Sequence, residues 1–314
     1  MGACSVAPVI VVLAGGVGAA RFLRGLLAVT APGEVTVVGN TGDDITLHGL
    51  RVCPDLDTVT YTLGNGIHEE QGWGRADETY RVATELALYG APTWFRLGDR
   101  DLGTHLFRRT LLDDGMPLSE VTRRIAERWR LPVTLLPMTD DPVETRVVAG
   151  GREMHFQEYW VGLHAALPVD RVWLAGDCTP APGVLDAIAN ADTILLPPSN
   201  PVVSIGTILA VPGIRSTIER ANAPVVGVSP VIGGAPVRGM ADRMLAAIGV
   251  DCTAAAVAKH YGAALLDGWL VDDVDAAAVP EVEAAGIACR AVPLWMNDAE
   301  STAAIAKAAL ALAR

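Results

Sequence analysis

Residues 9–13 form an unbroken apolar run rich in β-branched side chains, as expected of a strand buried on both faces. The run breaks at Ala14-Gly15-Gly16-Val17-Gly18, and residues 19–29 then take up a helical period. Residues 34–38 predict a second strand, ending in Gly39-Asn40-Thr41-Gly42-Asp43-Asp44. Residues 45–73 follow neither period and read as an irregular, site-like stretch. Helices are expected at 76–89, 102–112 and 118–129, with a short strand at 93–97. Strands follow at 133–136, 144–148 and 154–162, the last two joined into a hairpin by Ala149-Gly150-Gly151-Arg152. From 171–175 onward strands and helices alternate again. The strands fall at 193–196, 224–228, 269–271 and 289–292, and the helices at 183–191, 240–248, 253–262 and 299–312.

This rhythm predicts an α/β fold, a Rossmann-like, doubly wound and mostly parallel sheet. The interruption around residues 117–169 reads as an inserted helical and hairpin subdomain. With no low-complexity linker and no repeat, the 314 residues read as one domain.

Composition narrows the class. Apolar residues make up 51% and charged residues 19%, enough for a large core. The formal charge of −12 disfavours a nucleic-acid partner, which rewards a basic surface. The uncharged stretch 2–20 contains Pro8, Gly15, Gly16 and Gly18 and has no basic start, so neither a leader peptide nor a membrane span is expected. A cytoplasmic protein follows, without a membrane partner, and the expected assembly is a homodimer, the commonest closed oligomer. Five widely spaced cysteines without C-x-x-C read as reduced thiols, and no H-E-x-x-H marks a zinc site.

The candidate chemistry sits in loops that follow strands. Gly15, Gly16 and Gly18 let the backbone approach a phosphate at a helix N-terminus. The loop is neither a dinucleotide fingerprint, since Arg21 stands where the third glycine belongs, nor a P-loop, since no G-K-[ST] follows. Taken alone it also fits a tight strand–helix turn. Asp43, Asp44, Asp55 and Asp57 fall within fifteen residues. Asp57 by itself also fits a helix cap. Hard carboxylate oxygens suit Mg²⁺, and Asp43 with Asp55 beside a phosphate loop would make a phosphoryl-transfer site. Leu97-Gly98-Asp99-Arg100-Asp101, with Arg96 before it and His105 after, reads either as a charged surface turn or as a site for a phosphate or polar heterocycle. Ser199, Asn200, Ser204 and Gly206 lie in a proline-fixed loop after a strand, and residues 229–239 form another.

Taken together, GGVGAARFL, GDDITLHGLRVCPDLDTVTYTLG, LGDRDLGTHL, LPMTDDPVETRV, MHFQEYW, PPSNPVVSIGTIL and VSPVIGGAPVRGMADRML resemble the 2-phospho-L-lactate transferase family, described in actinobacteria as phosphoenolpyruvate transferase. The resemblance runs in order from about Val9 to the C-terminal helix. It implies transfer of a phosphoenolpyruvyl or 2-phospholactyl group in coenzyme F-420 biosynthesis. The donor would be guanosine-diphosphate-activated, the acceptor the ribityl hydroxyl of the deazaflavin Fo, and GMP the leaving group, with Mg²⁺ as cofactor. Asp43 and Asp55 then match metal positions, and Asp44 or Asp57 is the expected acceptor of the hydroxyl proton. Asp57, Arg96, Arg100 and His105 match the Fo side. Gly15, Gly16, Gly18, Ser199, Asn200, Ser204 and Gly206 match the nucleotide loops. Thr41-Gly42 is a small departure that leaves Asp43 and Asp44 in place.

Two rivals remain at this level. An NAD-dependent oxidoreductase would need the third glycine and an acid closer to strand 2. A sugar-nucleotide-binding regulator of the gluconeogenesis-factor type shares the glycine and SNP loops, but has no need of the PDLDT and LGDRD pair.

Overall fold

The computed structural model describes residues 9–31 and 33–314. Seven parallel strands form the central sheet. In chain order these are β1 (Ile10–Ala14), β2 (Val35–Gly39), β3 (Thr134–Pro137), β4 (Thr193–Leu196), β5 (Val225–Val228), β6 (Gly268–Val271) and β7 (Ala288–Ala291). They lie side by side as β7-β6-β5-β4-β1-β2-β3. The helices that shape the site are α1 (Gly16–Leu27), α2 (Pro54–Leu63), α3 (Asp99–Asp113), α4 (Leu118–Trp129), α5 (Ile205–Ala210) and α6 (Ala299–Leu312).

Both faces of the sheet are covered, as the continuous apolar strands required. Val11 and Leu13 of β1 pack with Ile188, Ile205, Ile208 and Val257 on one face. Ile10, Val12 and Ala14 pack with Phe22 and Leu26 of α1, Leu56 and Val59 of α2, and Ile305 and Ala309 of α6 on the other. The order reverses between β1 and β4, so the loops leaving the C-terminal ends of these neighbours border a crevice. That is where open α/β sheets bind ligands.

A separate three-stranded antiparallel sheet interrupts the parallel one, in the order Arg152–His155, Glu144–Ala149, Val169–Ala175. Its core of Val147, Met154, Phe156 and Tyr159 is completed by Val203 and Met244 of the main body. Of the stretch 117–169, α4 and β3 belong to the main layers, and the antiparallel sheet runs on to Ala175. Asp140 of the TDDP stretch accepts from the Ser119 backbone N–H at 2.6 Å and hydroxyl at 2.9 Å, so it caps α4.

Several elements differ from the sequence expectation. Residues 45–52 are a hairpin, Ile45–Leu47 against Leu50–Val52, turned by His48 and Gly49, both at positive φ. Asp55 and Asp57 lie inside the first turn of α2, opened by Pro54, rather than in an irregular stretch. Residues 93–97 form no strand, because Trp94, Phe95 and Leu97 are spent on a small core with Leu47, Leu50 and Leu102. Residues 154–162 end their strand at His155 and continue into a π-helical turn, Glu158–Gly162. The strand at 171–175 joins the antiparallel sheet and not the parallel one.

Candidate active site

The crevice between β1 and β4 is closed from both sides by predicted residues. Ser199 donates from its hydroxyl to the Gly15 carbonyl at 2.8 Å, tying the proline loop to the glycine loop. A Cβ on Gly18 would meet the Pro198 carbonyl oxygen at 2.1 Å, so only glycine allows the two backbones to come this close. Gly15 abuts Ser204, and Gly206 abuts the Pro201 carbonyl. Gly16 takes positive φ (72°) and its backbone N–H bonds Asp55. Asn200 folds its own loop, accepting from Val202 N and Val203 N at 2.9 and 3.2 Å. The first turn of α1 has no acidic residue and no side-chain cap, which leaves its N–H groups beyond Gly16 for an anion.

Asp43 and Asp55 come together here, from the β2 loop and the first turn of α2. Both are buried, and among the described residues no salt bridge reaches either of them. Burial raises the Asp43 pKa well above the ordinary carboxylate range, and the neighbouring Asp55 charge raises it further. Hydrogen bonds from the Asn40 and Thr145 side chains offset only part of this. Burial likewise pushes Asp55 up to about 6, against stabilising bonds from Asn40 and Gly16 N–H. Two acids crowded without a cation are short of positive charge. Among the described residues, no group of three or more His, Cys, Asp and Glu is placed to hold a metal. A pair of carboxylates is the donor set of an ion that keeps water and substrate in its remaining positions, as Mg²⁺ does.

Asp44 and Asp57 have different surroundings. Asp44 Oδ2 accepts from Arg51 Nε and from the Cys53 thiol, each at 3.0 Å, while buried Oδ1 has no partner among the described residues. Burial raises the Asp44 pKa and Arg51 opposes the rise. Asp57 is paired through Oδ1 with the buried guanidinium of Arg108, and its Oδ2 lies 3.7 Å from His105 Nδ1. The sequence reading assigned no part to Arg108, Asp101, Tyr61 or Asn40. The i, i+4, i+7 spacing of Asp101, His105 and Arg108 was the available signal, a polar stripe where α3 should be apolar.

The remaining predicted residues separate. Arg96 stacks on Tyr80, 4.3 Å from the ring centre, and lines a cavity of about 220 Å³ with His48, Phe95 and Leu102. His105 is fully buried beside Asp57. Arg100 is exposed, 3.8 Å from Asp77, and reaches neither the carboxylates nor the cavity wall. Residues 99–101 open α3, where Glu78 accepts from the Arg100 and Asp101 backbone N–H groups. The loop at 229–239 turns through the short pair Val231–Ile232 and Ala235–Pro236, with Arg238 reaching the Gln71 carbonyl. Cys53, Cys178, Cys252 and Cys289 are free thiols, while Cys4 lies outside the described residues.

A glycine loop and a proline loop at a switch point, with two uncompensated buried carboxylates beside them, define an α/β protein with a candidate active site in its switch-point crevice. The family described as 2-phospho-L-lactate transferase CofD matches residues 10–300. The chain belongs to this family of transferases, which serve coenzyme F-420 biosynthesis. It is 65% identical to the phosphoenolpyruvate transferase of Kitasatospora aureofaciens, over 97% of each chain. It is 59% identical to that of Thermobifida fusca, again over 97% of each, and 48% identical to that of a Mycobacterium species, over 97% of this chain and 98% of the relative. Among solved structures, a Bacillus halodurans protein of the UPF0052 family matches at a TM-score of 0.64. Its sequence is 18% identical, with 97% and 99% of the two chains covered, which marks a shared fold. Among the described residues, no helix is long and apolar enough to cross a membrane.

Proposed function

We propose that the chain transfers a phosphoenolpyruvyl group from enolpyruvyl-diphosphoguanosine to the terminal ribityl hydroxyl of the deazaflavin Fo, releasing GMP. The hydroxyl oxygen bonds to the phosphorus that carries enolpyruvate, and the bond from that phosphorus to the GMP oxygen breaks. The crowded pair Asp43 and Asp55 carries this reading. The phosphoenolpyruvate transferase name of relatives up to 65% identical favours the enolpyruvyl over the lactyl donor.

Mg²⁺ fits the site, because two hard, buried carboxylates there lack a counter-cation. Asp43 and Asp55 would hold it, and when bound it supplies positive charge against the donor diphosphate. The glycine loop and the N-terminus of α1 receive the guanosine phosphate, with Ser199, Asn200, Ser204 and Gly206 shaping the opposite wall. Arg96 and the cavity beside it bind Fo. His105 contributes from behind that wall, through Asp57. Asp44 or Asp57 accepts the hydroxyl proton, because each has one oxygen bound to an arginine and one buried oxygen without a hydrogen-bond partner among the described residues. The remaining gain comes from holding two substrates in line within one crevice. The enzyme acts as a cytoplasmic homodimer.

The test replaces Asp55 with Asn and follows GMP release with Fo, donor and saturating Mg²⁺. Loss of turnover in a folded variant supports the metal assignment. Near-wild-type turnover removes it.

A further inference from the structure

Arg108 stands on α3, away from the nucleotide loops, yet it is 2% exposed and anchors a buried polar network. Its Nη2 donates to Asp57 Oδ1 on α2, and its Nη1 donates to the Arg51 carbonyl at 3.2 Å. The same Nη1 lies 3.0 Å from His105 Nδ1. A guanidinium only donates, so Nδ1 must accept, and the ring proton sits on Nε2. That nitrogen lies at an ion-pair distance of 3.3 Å from Asp101 Oδ2 without hydrogen-bond geometry, and Asp101 Oδ1 accepts from the Tyr61 hydroxyl at 2.5 Å. Tyr61 is one turn beyond Asp57 on α2. Burial pulls the Arg108 pKa down, but the Asp57 charge more than offsets this and holds the group firmly cationic.

A buried ionic stripe between two helices contributes less stability than an apolar one of the same shape. What the stripe adds is a fixed relative position. The first turn of α2 carries Asp57 and, two residues earlier, Asp55. The Arg51 backbone that receives Arg108 belongs to the residue whose Nε holds Asp44. One guanidinium therefore fixes the chain on both sides of the carboxylate cluster.

We propose that Arg108 is a positioning residue for the transfer reaction, placing Asp55 through Asp57 and Asp44 through Arg51. This rests on the function proposed above and adds a residue that touches neither substrate.

The test compares Arg108→Gln, Arg108→Lys, Asp57→Asn and the double variant Arg108→Gln/Asp57→Asn. The readouts are kcat, the KM for each substrate, and the Mg²⁺ concentration that half-saturates the thermal shift of the enzyme without substrates. The expected result for Arg108→Gln is a fall in kcat and a rise in that Mg²⁺ midpoint, each of about 10-fold, the low end of the loss for a residue that bonds a metal ligand directly, since Arg108 reaches Asp55 only through Asp57. The KM for Fo should move less than kcat, and Arg108→Lys should recover part of both losses. If Arg108 acts through Asp57, the double variant loses little more than the worse single one. Should Arg108→Gln fail to fold, Tyr61→Phe carries the test, with the same two readouts moving in the same direction. Unchanged kcat and Mg²⁺ midpoint in folded Arg108→Gln, or in Tyr61→Phe if it stands in, overturns the proposal. So do losses in the double variant that multiply. A wild-type chain that releases no GMP with Fo, donor and Mg²⁺ overturns the proposed function instead, a separate outcome.

Discussion

Asn40 donates from Nδ2 to Asp55 Oδ2 at 2.9 Å, linking the end of β2 to the first turn of α2. The same amide receives Gly42 N–H at 2.9 Å and the Thr207 hydroxyl at 2.8 Å, and donates to the Val203 carbonyl at 3.2 Å. One buried side chain thus joins the β2 loop, α2 and the loop that opens α5. Replacing Asn40 with Ala leaves several buried groups unpaired, so a loss of about 2–4 kcal/mol in unfolding free energy is expected. Asn40→Asp keeps the shape but places a third acid beside Asp43 and Asp55. It should unfold at lower temperature near pH 7 and recover as the pH falls. Thermal denaturation across pH checks both.

The raised acids give a pH signature. Asp55 is pushed up to about 6 in the folded chain, from an ordinary value of 3.8. The folded state therefore binds this proton more tightly than the unfolded state does. Its contribution is most favourable below the ordinary value and is lost as pH rises through about 6. Without Mg²⁺, melting temperature should fall between pH 5 and pH 7 relative to Asp55→Asn. Mg²⁺ should raise it at pH 7 and barely at pH 5, where protons compete for the carboxylates.

Close backbone approach at Gly18 predicts a contrast between two glycines. Gly18→Ala drives a methyl into the Pro198 carbonyl and should cost about 1–3 kcal/mol or more, and donor binding with it. Gly103 lies exposed inside α3 with open space around its missing Cβ. Gly103→Ala should gain about 0.5–1 kcal/mol from helix propensity. Denaturant midpoints for the two variants check the sign of each.

Arg96 separates the two substrates. It lies over Tyr80 and walls a cavity that residues of neither the glycine loop nor the proline loop line. Arg96→Ala should raise the KM for Fo roughly three- to tenfold, the worth of a cation–π contact, with the donor KM unchanged. Deazaflavin fluorescence titration gives the same comparison without turnover.

Much of the parallel sheet was legible because buried strands and amphipathic helices carry different periods. The strand and glycine loop at 10–18, the helix Leu118–Trp129 and the helix Ala299–Leu312 all stood out in this way. The hairpin at 45–52 was not legible. Its strands have three residues each, and its turn is set by His48, a residue type seldom read as a positive-φ signal. The apolar Trp94-Phe95 pair mimicked a strand, since a short apolar run does not state what it packs against. The carboxylates were visible as a cluster in sequence, but their division was not. Asp55 and Asp57, two apart on one helix, look onto different neighbours, Asn40 and Arg108. That assignment needed the long-range partner Arg108, which the polar stripe on α3 marked without stating that it pairs with Asp57.

The most direct measurement is the mass of the deazaflavin product after incubation with Fo, enolpyruvyl-diphosphoguanosine and Mg²⁺. The account predicts Fo increased by one phosphoenolpyruvyl group, with one GMP per product, and no such product from Asp55→Asn. Unmodified Fo in the wild-type reaction, or equal product from Asp55→Asn, would contradict it.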